Sequence, residues 1–303
     1  MKKFRIFATD KKSDLIVAMD SQHTGQEEQY EEDANMKLGI SSTSYGEAYY
    51  KHPVFEKIEH MMDYYGGVSY SCFCFIPNGA PAALNYSSYV YKSIKTTLES
   101  IQMLLKAGHI SDAFVLIRKL FDTVLVEIYL NVVREEKYDW MENFVVKDVD
   151  DWIRKKIRIP RVDKILDVLK TSATTKDLYP YFGWDKYLKT NRELLDEHVH
   201  VSSFRNITLN CKDNYIEGRE KQLDNALIVL KQIMLVHLSF IFYLNGHYMM
   251  ADMHMTCLEM GDTPPEGSEN WLAKYAQDAF DEFIKPYPKI AEFIKSNCSM
   301  IIE

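Results

Sequence analysis

One stretch limits the fold more than any other. "REKQLDNALIVLKQIMLVHLSFIFYLNGHYMM", Arg219 to Met250, forms the longest run of helical pattern in the chain and carries more apolar surface than one face of a bundle needs. Such a helix has to be surrounded, either by lipid or by other helices. Lys231, Gln232 and His237 interrupt the apolar segment. A charged centre costs about 3 kcal/mol on insertion into a bilayer, so the sequence predicts a buried core helix and no membrane partner.

The helices that would cover it are also legible. "SSYVYKSIKTTLESIQMLLKAG" places Val90, Ile94, Leu98, Ile101 and Leu105 three or four apart and ends at Gly108. "SDAFVLIRKLFDTVLVEIYLNVVREE" follows after a short loop, with a Ser or Asp cap and its polar residues on one arc, so the two should form an antiparallel hairpin. Shorter helices are expected at 138–143, 149–156 and 162–170, and another beginning near Trp184. "SENWLAKYAQDAFDEFIKPYPKIAEFIKS" predicts one more helix, a break at Pro286 and Pro288, and a last short helix.

Before residue 80 the character differs. "FRIFA", "LIVAM" and "VSYSCFCFI" are short and rich in β-branched and aromatic residues, which predicts strands. "QHTGQEEQYEEDANM" reads as an acidic loop, and "HPVFEKIEHMMDYY" as a helix with Pro53 in its first turn. The fold class expected is mainly α: a helical bundle over 81–260, a small mixed α/β region over 1–80 and a helical extension over 261–303.

Five scattered cysteines without a CxxC pair argue against a disulfide framework and a zinc knuckle, and no export signal is evident, so a reducing, cytoplasmic setting is expected. A net charge of −8 confines any polyanion binding to a local basic patch. The one candidate is "RKKIRIPRVDK", with Arg154, Lys155, Lys156, Arg158 and Arg161 as possible RNA contacts; the alternative is a solvated helix end favoured by the helix dipole. "NGHYMMADMHM", with His247 and His254, is read as adaptable packing rather than a soft metal site. No phosphate-binding glycine loop, GxSxG or HExxH occurs.

The densest polar cluster is "NRELLDEHVHVSS", Asn191 to Ser203. On one helix, Trp184, Tyr187, Leu188, Leu194, Leu195 and Val199 form the buried stripe, and His198 falls on it. Arg192, Asp196 and His200 occupy i, i+4 and i+8, a ridge on which Asp196 can bond either neighbour.

Residues 84–250 resemble the HEPN superfamily of all-helical proteins, in which an arginine is followed after four to six residues by a histidine. Here Arg192 precedes His198 at a fitting spacing. "LLDEHVHVSS" also resembles a Leu-Asn/Ser-Asp-Tyr-Val-His-x-Ser ending found in HEPN-like bacterial families, with His200 as the histidine. "GHISDAFVLIRKLFDTVLVEIYL", with Arg118 and Asp122 one turn apart, is similar to the arginine-bearing helix of those families. Glu193 stands where the nucleases often have Asn, Asp or His, and the His200 alignment lengthens the arginine-to-histidine gap.

The resemblance implies a metal-independent ribonuclease with no cofactor, active as a homodimer, in the setting of a toxin or anti-phage effector and with a possible regulatory protein partner. Arg192, Asp196, His198 and His200 would be its catalytic set. A histidine would deprotonate the 2′-hydroxyl and an arginine would hold the phosphorane. The alternative from another class is a noncatalytic helical binding or scaffold module whose cluster stabilises its own fold.

Overall fold

The computed structural model describes residues 40–41, 45–72, 85–139, 141–211, 215–216 and 218–303. Two units are distinguished, 1–44 with 213–217 and 45–212 with 218–303. In the first, β1 (Ile40–Ser41) pairs antiparallel with β2 (Tyr215–Ile216). The expected strands "FRIFA" and "LIVAM" and the acidic loop lie outside the described residues.

The second unit is a mainly α bundle. Its elements are α1 (Glu47–Tyr50), α2 (Pro53–Ser71), α3 (Tyr86–Lys106), α4 (Ile110–Lys137), α5 (Lys147–Ile153), α6 (Val162–Thr171), α7 (Trp184–Val199), α8 (Phe204–Thr208), α9 (Arg219–Asn245), α10 (Asp252–Met260), α11 (Lys274–Ala279) and α12 (Pro288–Asn297). Helix α4 packs against α3, α5, α6, α7 and α9, while α2 packs against α3, α9 and α11. Within this unit α2 and α3 pack together, α11 packs on α2, and α12 packs on α9.

Helix α9 is the core element the sequence called for. With its 3₁₀ continuation it is long and apolar enough to cross a membrane, yet 67% of its most apolar window is buried inside the bundle. Lys231 points outward from it, whereas His237 is fully buried.

The turn between α3 and α4 shows how local chemistry sets the hairpin. Gly108 has φ 81°, its N–H donates to the Leu105 carbonyl, and the His109 N–H reaches back to Leu104, the Schellman closure of a helix end. A Cβ at Gly108 would lie 1.9 Å from the Tyr45 hydroxyl, so close approach as well as conformation demands glycine. The expected Ser or Asp cap of α4 is not used. Asn210 supplies the cap from a distant segment, its Oδ1 accepting from the Asp112 N–H at 3.2 Å, which leaves Ser111 inside the helix and free to bond elsewhere.

Two other expectations are corrected. "VSYS", 68–71, is the last turn of α2 rather than a strand, because Val54, Ile58, Met61, Tyr65 and Val68 continue one buried stripe at spacings of three and four. Tertiary burial overrides β propensity there; the rest of "VSYSCFCFI" lies outside the described residues. Residues 138–139 and 141–143, the described part of the helix expected at 138–143, are not helical. The Asp139 carboxylate accepts the N–H groups of Met141 and Glu142 at 2.8 and 2.9 Å, a local turn that competes with helix formation.

Candidate functional site

Helix α7 delivers the polar cluster, and its helical twist distributes the residues over different surroundings. Trp184 and Leu195 are buried as the periodicity requires, and Leu194 is half-buried; Val199, expected on the same stripe, is exposed because the helix ends there. His198 points into the core. It is 4% exposed, stacks on Phe114 at 4.3 Å with 9° between the rings, and its Nδ1 lies 3.0 Å from the Ser111 hydroxyl. Burial lowers its pKa to about 4, so at neutral pH it is an uncharged packing residue.

Arg192 faces the other way, toward a groove of about 380 Å³ between α4, α6 and α7. Arg118, Asp122, Arg161, Asp163 and Arg192 all line it. The Asp196 carboxylate bridges two arginines: Oδ1 accepts from Arg118 Nε at 2.8 Å, and Oδ2 lies 3.5 Å from Arg192 Nε. Arg118 also pairs with Asp122 one turn along α4. Burial would lower the Arg118 pKa, but the carboxylates of Asp122 and Asp196 outweigh it and raise the value. The expectation that Asp196 serves a histidine is therefore not met by its side chain; only its backbone carbonyl contacts His200, accepting that residue's N–H at 3.0 Å.

His200 caps the C-terminal end of α7 and is exposed, with no side-chain hydrogen bond among the described residues. It stands eight residues beyond Arg192, roughly 12 Å along the helix at 1.5 Å per residue. No hydrogen bond or ion pair joins the two side chains among the described residues. Around it Val199, Val201, Phe204 and Ile207 are exposed, an apolar patch on the surface beside the histidine.

The basic segment is largely occupied with its own helix. Arg154 Nε lies 2.6 Å from Asp150 Oδ2, and Lys156 Nζ lies 3.3 Å from Asp151 Oδ1, the solvated helix end that the dipole favours. Lys155 and Arg158 are exposed. Of the five proposed RNA contacts only Arg161 reaches the groove, where Asp163 lies 3.4 Å from its Nε.

Backbone strain marks both segments. Helices α5 and α7 end with the same Schellman closure, Lys156 N–H to the Asp151 carbonyl and Ser202 N–H to the Glu197 carbonyl. The left-handed position that glycine fills at Gly108 and Gly261 is taken here by Lys155 (φ 58°) and Val201 (φ 47°). They are the only non-glycine residues with positive φ among the described residues. A β-branched residue there is strained by about 1–2 kcal/mol.

A second polar constellation lies in the bundle core, and sequence reading missed it. Glu127 and His237 are 1% and 0% exposed. His237 Nε2 lies 2.9 Å from Glu127 Oε2, and its Nδ1 is 2.7 Å from the Tyr65 hydroxyl; Tyr91 donates to Glu127 Oε1 at 2.7 Å. Asn131 also bonds Glu127, and Tyr86 donates to Asn131 at 3.0 Å. Burial raises the phenol pKa values of Tyr86 and Tyr91 well above normal, so both remain protonated donors. The signal available was a lone Glu on the apolar arc of α4 and a lone His inside the apolar run of α9.

His247 and His254 do not converge. His247 packs its ring on Tyr248 at 4.6 Å, whereas His254 Nδ1 bonds the Ser268 hydroxyl at 2.9 Å. A comparison of the chain with known protein families, with characterised proteins and with solved structures finds no match to any of them.

Proposed function

We propose that the chain is a metal-independent ribonuclease of the HEPN type, acting as a homodimer, with Arg192 and His200 as its catalytic pair and the groove between α4, α6 and α7 as its phosphate track. The observation that carries this reading is the convergence of Arg118, Arg161 and Arg192 on that groove, in a chain whose net charge is −8. Arginine's planar fork holds phosphate bidentately; here the three are paired with Asp122, Asp163 and Asp196, so a phosphate would bind by taking the place of these carboxylates.

In this reading the buried, neutral His198 supports α7, and the exposed His200 is the base that takes the 2′-hydroxyl proton. The 12 Å offset between Arg192 and His200 is closed by a second copy: the arginine of one protomer serves the histidine of its partner. The exposed Val199, Val201, Phe204 and Ile207 supply apolar contact area beside His200 for that association. The strain at Val201 holds the turn that presents His200. A role as a toxin or anti-phage effector, with a regulatory protein partner, follows the usual setting of the nucleases that the sequence resembles.

A noncatalytic helical binding or scaffold module is the second reading, favoured by the Arg118–Asp196–Arg192 clamp, which ties α7 to α4 whether or not RNA is bound. Mixing variants separates the two. Arg192→Ala and His200→Ala homodimers should each be inactive on RNA, while a mixture refolded together should regain activity through heterodimers that hold one intact composite site. Light scattering that reports only monomer at micromolar concentration, or inactivity of the mixture, overturns the composite site.

A further inference from the structure

On the other side of α7 a cavity of about 430 Å³ is lined by Tyr181, Phe182, Asn191, Gln232, Val236 and Tyr287, among others. A more open one of about 680 Å³ shares Tyr181, Tyr287 and Ile290 with it. Asn191 is 4% exposed, and its Nδ2 donates to Gln232 Oε1 at 2.7 Å. That bond occupies one of the amide's hydrogen-bonding groups. The other N–H and Oδ1 remain as an adjacent donor and acceptor on a residue that lines the cavity.

We infer that this cavity binds the adenine base of a nucleotide, free or within an RNA strand, between Tyr181 and Tyr287, with Asn191 reading its edge. Adenine offers a donor at N6 next to an acceptor at N7, the complement of an Asn amide; guanine offers two acceptors, O6 and N7, and sets one of them against Asn191 Oδ1. The rings at the mouth suit a flat π system: Tyr181 is 40% and Tyr287 is 44% exposed, while Leu235, Val236 and Ile290 give an apolar floor. Gln232, which breaks the apolar run of α9, thereby acquires a role as the residue that orients Asn191. The cavity and the arginine groove flank the same turn of α7, since Asn191 and Arg192 project about 100° apart.

Titration of the full-length protein with adenosine, AMP, guanosine and an oligoadenylate, followed calorimetrically, tests the site without any assay of cleavage. Saturable adenosine binding is expected, with guanosine about tenfold or more weaker. Binding by AMP and adenosine points to a free nucleotide as occupant, and binding by the oligoadenylate alone to a base within a strand; both uphold the site. Asn191→Leu should erase the preference for adenosine over guanosine, and Tyr287→Ala, at an exposed position, should weaken binding about tenfold through lost stacking with the melting temperature unchanged. Equal affinity for adenosine and guanosine, a preference that survives Asn191→Leu, or no saturable binding of any of the four at millimolar concentration overturns the inference. Any of these leaves the ribonuclease reading untouched, because that rests on a separate groove with different lining residues.

Discussion

The core histidine His237 and the histidine at the end of α7, His200, each lie near a carboxylate in sequence or space, and their surroundings make them different objects. In the core, Glu127, His237, Tyr65 and Tyr91 are packed out of water and bond one another. At the C-terminal end of α7, His200 stands in solvent, and the nearby Asp196 carboxylate is turned to two arginines instead. A closed network of this kind specifies how α2, α3, α4 and α9 fit together and leaves no group free for a substrate. The open one leaves His200 in solvent, while its Arg118–Asp196 bond ties α7 to α4. Residue type alone does not separate the two; burial does.

The difference is sharpest in stability. His237→Ala removes the partner shared by Glu127 and Tyr65 and opens a cavity among four helices, so denaturant midpoints should fall by an amount equivalent to about 3–5 kcal/mol. A loss below 1 kcal/mol would mean that the core network is not the clasp described. His198→Ala comes next, at about 1–3 kcal/mol, because Phe114 loses its stacking partner and Ser111 its hydrogen bond.

His198 also gives the fold a pH dependence of defined sign. Its folded pKa of about 4 lies below the ordinary histidine value of 6.5, so the unfolded chain takes up a proton first as pH falls. The stability it contributes is full above pH 6.5 and is lost as pH drops through that window toward 4. Urea titrations at pH 7 and 4.5 should show the wild type losing about 1–2 kcal/mol more than His198→Gln. An equal loss in both would place the titration elsewhere.

Much of this was legible in the sequence. The spacing of Ile94, Leu98, Ile101 and Leu105, the Gly108 stop and the apolar run of α9 gave the bundle, because each encodes burial or chain reversal within a few residues. The Asn210 cap of α4 was not legible, since its donor and acceptor lie 98 positions apart. The helical state of 68–71 was hidden for a similar reason: β-branched and aromatic residues favour a strand locally, and only the stripe shared with Ile58 and Met61 decides otherwise. At the site, the ridge of Arg192, Asp196 and His200 was visible as periodicity. Arg118 reaches this ridge through its bond to Asp196, a contact across 78 positions that periodicity does not show, whereas the burial of His198 followed from its place on the stripe.

Smaller effects should appear on the open side. Val201→Gly relieves a left-handed valine and should stabilise the protein by about 1 kcal/mol, read as a rise in melting temperature. A decrease would show that the Val201 side chain makes contacts worth more than its strain. Arg192→Ala and His200→Ala should each change stability by less than about 0.5 kcal/mol, as expected for exposed side chains outside the core.

The central claim is that the exposed end of α7 acts on RNA while the buried histidines serve the fold. Cleavage of a fluorophore-quencher RNA in the presence of EDTA, measured for the wild type, Arg192→Ala and His200→Ala alongside their melting curves, tests it most directly. The account predicts metal-independent cleavage by the wild type and loss of about a hundredfold or more in each variant, the scale of a removed general base or charge-stabilising donor, with melting temperatures unchanged. An inactive wild-type dimer, or variants that keep wild-type cleavage rates, would contradict it.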